Sequence, residues 1–343
     1  MAAIIAVASG KGGVGKTLIT ASLAVSLQRH GHRVLAVDAD MGLRNLDLMF
    51  GMQDDVLYDV GDVMKGHCST QEALLHVRER LDFLAASQKH TWEKIDAPSY
   101  QYIVEKLAQK YEYVLIDCPP GRGRAFKDAV AIADTMFFVI EPTWSSMRDA
   151  ARVMQFCNKH KRFRYDVLFN NFYGSDPGYV SVQEMLQILN PETVAGILPH
   201  DAAIHAAAQQ GSLVSCQNTP FWTAMEQTAA YIEDGTAVDI DALTALLPAA
   251  EGISGRTNPV KEETAVQEET PPALGQMRAL AAAELQKAAA VMNQMAQQDA
   301  PPVVSVPDTA STSKAKKEAD VSLPRISVRK RRQQSMAWRH YRR

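Results

Sequence analysis

The segment Ser9-Gly10-Lys11-Gly12-Gly13-Val14-Gly15-Lys16-Thr17 constrains this chain more than any other stretch. The apolar run 3–8 precedes it and a helix-forming pattern over 16–30 follows, so the context is strand, glycine loop, helix. In that context consecutive backbone N–H groups turn inward around phosphate oxygens, and the helix adds its positive N-terminal end. Gly10, Gly12, Gly13, Val14 and Gly15 shape the cradle, continued by Lys16, Thr17 and Leu18. Lys16 is expected at the β and γ phosphates, and the Thr17 hydroxyl on Mg²⁺.

Up to about residue 250 the chain alternates short apolar runs with helical stretches. Strands are expected at 3–8, 33–38, 81–86, 113–117, 135–141, 166–170 and 194–198, and helices at 16–30, 99–110, 146–160, 182–189 and 220–232. Runs of continuous apolar residues suit parallel strands covered on both faces. The expectation is therefore an α/β fold, a doubly wound and mostly parallel sheet, with its ligand at the carboxyl ends of the strands. The apolar residues 2–8 lack a basic leader and run directly into the loop, so they read as a first strand rather than a signal peptide. No apolar run approaches the roughly 20 residues of a membrane span. Cys68, Cys118, Cys157 and Cys216 are scattered and never paired as C-x-x-C, which suits a reducing, cytoplasmic setting and argues against a cysteine zinc site.

A lysine at position 11 is not something a phosphate loop demands, and it crowds a second cation against Lys16. That makes sense if Lys11 neutralises nucleotide charge across a dimer interface, as an arginine finger does in trans; a solvated loop lysine is the bland alternative. Acids end the strands nearby. Asp38 and Asp40 close the second, able to hold Mg²⁺ waters or orient an attacking water, and Asp117 closes the fourth as a Mg²⁺-holding acid. A single aspartate after a strand is usually a helix cap, but three beside such a loop favour catalysis. Gly121, after two prolines, is placed to sense a γ-phosphate through its N–H. No glutamate follows Asp117, so hydrolysis is expected to be slow, with Asp40 positioning water.

With these residues in view the chain resembles the MinD/ParA family of deviant-lysine P-loop ATPases, and specifically its MinD branch. The resemblance covers roughly residues 1–247. Its segments are SGKGGVGKT, DADMGLRNLDLMFG (38–51), LLHVRERLDFLAASQ (74–88), YVLIDCPPG (113–121), EPTWSSMRDAARV (141–153) and GILPHDAAIHAAAQQGSLV (196–214). The resemblance implies ATP and Mg²⁺, an ATP-bound homodimer bridged by Lys11, and Asp40 supporting hydrolysis. It also implies an adenine pocket lined by Asn170 or Asn171 with Pro199 and Asp201. Members of this branch bind the membrane as ATP dimers, recruit an inhibitor of division-ring assembly and are released by an activator. Three departures stand out. Leu18 replaces a second threonine near the α-phosphate, and Arg122 and Arg124 replace a small or acidic stretch in the activator region. The chain also continues for nearly a hundred residues where the branch usually ends in a short amphipathic helix. Iron-carrying relatives need paired cysteines; flagellar-number regulators carry an activating stretch before the loop, and pilus-assembly relatives a receiver-like domain. None of these patterns is seen.

The domain reading is an ATPase unit over 1–250, a linker over 251–324 with a helix at 273–298, and a basic tail over 325–343. The tail holds eight Lys or Arg and no acid; removing its +8 from the formal −3 leaves −11 for residues 1–324. An acidic body with a basic arm points to a polyanion for the arm alone. Ile326, Val328, Met336, Trp338 and Tyr341 interleave the cations, which suits an anionic membrane surface. Nucleic acid, with arginines on phosphates and aromatic rings stacking on bases, is the second reading and belongs with a ParA-like DNA-segregation role. A solubilising arm is the third. A regulatory scaffold that binds ATP and hardly hydrolyses it is a further functional alternative. The activator and effector proteins are not identified by the sequence.

Overall fold

The structure, a computed structural model, describes residues 2–160, 164–172 and 179–248. The expected linker, the helix at 273–298 and the basic tail lie outside the described residues.

The strands are β1 (Ala3–Ala8), β2 (Val34–Asp38), β3 (Leu74–Arg78), β4 (Leu81–Leu84), β5 (Tyr113–Asp117), β6 (Thr135–Ile140), β7 (Tyr165–Phe172) and β8 (Val194–Pro199). They form one eight-stranded sheet in the order β3-β4-β2-β5-β1-β6-β7-β8. Every neighbouring pair is parallel except β3 with β4. Parallel neighbours need crossovers, and those crossovers cover both faces, so strands such as β2 and β6 are buried along their whole length. β1 sits near the middle, between β5 and β6, where the chain winds off in both directions. Doubly wound sheets open their ligand crevice at that place.

The helices are α1 (Lys16–Arg29), α2 (Leu46–Phe50), α3 (Val60–Met64), α4 (Ala97–Ala108), α5 (Arg124–Ala129), α6 (Trp144–His160), α7 (Val182–Leu189), α8 (Ala202–Gln209), α9 (Pro220–Asp234) and α10 (Ile240–Ala245). α1 is buried around nearly its whole circumference from Leu18 to Leu27, Thr20, Ser22 and Ser26 included, because it lies on the sheet and is covered in turn by α2 and α9. α7 starts at a reciprocal cap: Ser181 accepts from the Glu184 N–H while Glu184 reaches back to the Ser181 N–H. α4 begins on Asp96, whose carboxylate accepts from the Ser99 N–H.

All seven expected strands form, two with the expected bounds and five with ends shifted by one or two residues. The strand expected at 81–86 stops at Leu84, and β7 and β8 run on to Phe172 and Pro199. β3 was not expected. It lies on an edge with its residues half-buried apart from the exposed His76, and it pairs antiparallel through the turn at Glu79 and Arg80, where Arg80 takes φ 66°. That pattern carries little periodicity, and its partner decides it. The short α2, α3, α5, α8 and α10 were not expected either, being one or two turns stabilised by packing rather than by propensity.

Candidate functional site

β1, β5 and β2 lie side by side, and the register sets Val7 opposite Asp117 and Asp117 opposite Asp38. The glycine loop, the acid of β5 and the acid of β2 are thereby brought to one edge of the sheet by strand pairing alone.

The loop is held from beneath. The buried Asn170 amide donates to the Val14 carbonyl at 2.9 Å, and a Cβ on Gly15, whose φ is 89°, would fall 2.4 Å from that amide nitrogen. A Cβ on Gly10 would meet the Asp149 backbone of α6 at 2.7 Å. Those two glycines are demanded by close approach. Above Gly12 and Gly13 an added Cβ would meet nothing within 4 Å, so the concave side of the loop stays open. The loop ends in the first turn of α1, where Lys16 is buried beside the acids.

Thr17 Oγ1 donates to Asp117 Oδ2 at 2.7 Å, and Thr20 Oγ1 stands 3.5 Å from Asp117 Oδ1. Burial raises the Asp117 carboxyl above its usual range, against the opposing hydrogen bond from Thr17 and the charge of Lys16. Asp38 is raised too, by burial first and then by the charge of Asp117, in spite of its backbone hydrogen bonds. Asp40 is half-buried and raised by burial, with Lys16 pulling the other way. With the Lys16 ammonium beside them as a neighbouring charge, the Thr17 hydroxyl and the Asp117 and Asp40 carboxyls form a donor set of hard oxygens. It fits Mg²⁺, a cation that takes few protein ligands and keeps waters or phosphate oxygens for the rest.

Some expected roles meet a different geometry. Asp38 was expected among the metal-holding acids, yet it has no exposure and both its oxygens are engaged. Oδ1 accepts from the Asp40 N–H at 2.8 Å, and Oδ2 accepts from the Asn45 and Leu46 N–H groups at 3.0 Å each. It is placed to fold the loop 39–45 around itself. The Gly121 N–H, expected to sense a γ-phosphate, donates to the Ser9 carbonyl at 3.0 Å, which ties the segment after β5 to the loop after β1. Leu18 is buried in the core, so it can offer a phosphate only its backbone.

The two asparagines part company. Asn170 is committed under the loop, whereas Asn171, at φ 62°, reaches the other way. Its Oδ1 lies 2.6 Å from His200 Nδ1, and its amide donates to Glu141 Oε1 at 3.4 Å. Pro199 closes β8 opposite Phe172, and Asp201 caps α8 by accepting from Ala203 and Ile204. His200 and Asp201 line a cavity of about 340 Å³ with Thr219, Pro220 and Leu246. Lys11 lies exposed at the loop's outer edge, its ammonium 3.5 Å from Ser145 Oγ of the same chain.

Two participants escaped the sequence reading. Thr20 follows Thr17 by one helical turn, so the spacing pointed to it. Trp92 did not announce itself: its indole N–H donates to the Ala39 carbonyl at 2.7 Å, between Asp38 and Asp40, across more than fifty residues of sequence.

Comparison with known proteins follows this geometry. A family model described as an AAA domain matches residues 2–167. The septum site-determining protein MinD of Synechocystis sp. is 36% identical over 215 residues, covering 61% of this chain and 80% of that protein. MinD of Thermotoga maritima is 36% identical over 225 residues, 63% of this chain and 82% of its own. Among solved structures, the MinC:MinD cell division protein complex of Aquifex aeolicus superposes with a TM-score of 0.63 at 31% identity, covering 70% of this chain and 98% of that one. The septum site-determining protein MinD of Pyrococcus horikoshii, complexed with Mg-ADP, gives a TM-score of 0.61 at 27% identity over 68% of this chain and 96% of that one. With the glycine loop, its second lysine and the paired strand-end acids already assembled on a doubly wound sheet, this chain belongs to the MinD family of septum site-determining P-loop proteins.

Proposed function

We propose that the chain is an ATPase that cycles between a monomer and an ATP-bound dimer. Slow hydrolysis would time its attachment to the inner face of the cell membrane and so help place the division site. One observation carries the reading. Lys16, the Thr17–Asp117 contact and Asp40 converge on the open side of a phosphate loop. The substrate is ATP with Mg²⁺, a choice supported by the P. horikoshii relative complexed with Mg-ADP.

Thr17 and Asp117 would hold Mg²⁺, which when bound neutralises charge on the β and γ phosphate oxygens. Lys16 pairs with those phosphates, and the open N–H groups of Gly12 and Gly13 surround them. Asp40 accepts the hydrogen bond of the attacking water. Asp38 acts one step back, keeping Asp40 and Asn45 in place through their N–H groups. No glutamate follows Asp117, so the half-buried Asp40 serves without a stronger base and turnover is slow. Asn171, Pro199 and Asp201 border the base, with Asn170 supporting the loop instead. Lys11, exposed and only 3.5 Å from a neutral hydroxyl of its own chain, is free to swing into the nucleotide of a second copy.

In this reading residues 1–250 form the switch, 251–324 the linker with a helix at 273–298, and 325–343 the membrane-surface anchor, carrying eight cations. A MinC-like effector is supported by the Aquifex complex. Analytical ultracentrifugation of Lys11→Ala with Mg·ATP tests the switch. Dimer formation is expected to vanish while nucleotide affinity holds, and activator-stimulated hydrolysis to fall by about 10³-fold, the scale of a charge supplied in trans. A variant that dimerises normally would remove the trans role.

A further inference from the structure

α1 carries the phosphate loop at one end and Arg29 at the other, about 20 Å away at 1.5 Å per residue. There the Arg29 Nη2 donates to the carbonyls of Val214 at 3.2 Å and Cys216 at 2.7 Å, and its guanidinium stacks 4.3 Å from the centre of the Trp222 ring. Arg78, on β3, donates to the same Val214 carbonyl at 3.5 Å. Two guanidinium groups thus converge on one neutral oxygen. Glu226 is the acid nearest to them, and its carboxylate is already engaged by the Ser26 hydroxyl and the His30 ring.

Two further N–H donors at this place lack an acceptor. Arg29 Nε and the indole Nε1 of Trp222, a residue only 3% exposed, are both buried and unpartnered. A buried donor without an acceptor forfeits its hydration with nothing in return. α9 also begins here: Thr219 caps it by accepting from the Trp222 N–H, and Pro220 opens it, so the positive end of a fifteen-residue helix faces the same space. That space is a cavity of about 430 Å³, whose remaining walls are the polar Gln217, Asn218, Thr219 and Thr223 and the already engaged carboxylate of Glu226.

Like charges brought together, donors without acceptors and a helix N-terminus all call for the same complement. We propose that the cavity between Arg29, Arg78, Trp222 and the start of α9 binds the phosphate or carboxylate group of a small polar molecule. The planar fork of an arginine matches both oxyanions, and the cavity is larger than either group alone, leaving room for a polar body hydrogen-bonded to Gln217 and Asn218. The site is separate from the nucleotide loop and does not rest on the reading of that loop. Its position at the far end of the helix that carries Lys16 gives a bound anion direct mechanical contact with α1.

The test uses the full chain saturated with Mg·ADP, so that the phosphate loop is occupied. The indole N–H resonance of Trp222, assigned with Trp222→Phe, is followed by ¹H–¹⁵N correlation while inorganic phosphate or succinate is added at constant ionic strength. A saturable shift with phosphate, with succinate or with both is expected, the two arms telling which oxyanion is preferred. Chloride at matched ionic strength should leave the resonance in place. Arg78→Gln, on an edge strand, should weaken the response by about tenfold or more, the loss of one charged hydrogen bond. Absence of a saturable shift in both arms, or equal affinity in Arg78→Gln, overturns the proposal.

Discussion

Asp38 and Asp117 face each other across two neighbouring parallel strands, and burial raises both carboxyls. Their hydrogen bonds separate their work. Asp38 is closed by backbone N–H groups, while Asp117 meets two hydroxyls and so keeps a side toward the loop. Asp40 is half-buried with the charge of Lys16 beside it, and in the proposed cycle it is the acid that positions water. Asp40→Ala should therefore lower ATP turnover by about 10²-fold or more while the ATP-bound dimer accumulates; steady-state phosphate release and sedimentation report both. Fast turnover in that variant would reassign the role. A second residue-scale expectation concerns His30. Burial opposes its protonation, but the hydrogen bonds that the protonated ring donates to Glu233, at 2.8 Å, and to Glu226 outweigh it, so its pKa lies above the ordinary value. A raised histidine stabilises the fold fully below the unfolded value near 6.5, and the stabilisation is lost as pH rises through the folded value. Thermal stability should thus decline from pH 6 towards pH 8 by about 1 kcal/mol at most, since the group is partly solvated. His30→Gln should flatten that slope, and an unchanged slope would assign it to other groups.

At the scale of elements, the two segments that flank the site are joined by a third. The single turn at Trp92–Lys94 bonds to the Ala39 carbonyl through Trp92, stacks edge-on against Tyr100 of α4 at 5.2 Å, and packs on α5, which follows Gly121. This turn thereby bridges the segment after β2 and the helix after β5. Trp92→Phe keeps the ring and removes the N–H. It should cost about 1 kcal/mol of stability and depress kcat more than ATP affinity, a split that single-turnover kinetics and equilibrium titration resolve. Equal effects on both would make Trp92 a packing residue only. The long apolar strands and the glycine loop were legible because their signals are local: continuous runs, a fixed spacing, a helix start. β3 and the short helices were not, since an edge strand with half-buried residues and helices of one or two turns take their form from what they touch. Trp92 lies in a stretch without periodicity, and only the fold sets its N–H against Ala39.

Across the whole molecule, charge divides between an acidic body and the basic residues 325–343. Each cation near an anionic leaflet contributes about 1 kcal/mol, and a dimer presents two tails. Deleting residues 325–343 should abolish ATP-dependent co-sedimentation with anionic liposomes and leave Mg·ATP hydrolysis in solution unchanged. If the full chain shifts DNA and ignores liposomes, the segregation role takes the place of the division-site role. Among the described residues no helix is long and apolar enough to cross a membrane.

The sequence by itself determined the phosphate loop, the parallel α/β class and the identity of the strand-end acids, because each depends on residues adjacent along the chain. It also determined the second lysine, whose presence beside Lys16 is independent of any contact. The tertiary structure decided the division of labour among those residues. Which aspartate is closed by backbone and which is open, which asparagine braces the loop and which faces His200, and that two arginines share the Val214 carbonyl are outcomes of strand order and helix packing. Such outcomes join positions from eight to nearly two hundred residues apart, and most of these hydrogen bonds span separations that leave no periodicity in the chain for the sequence to display.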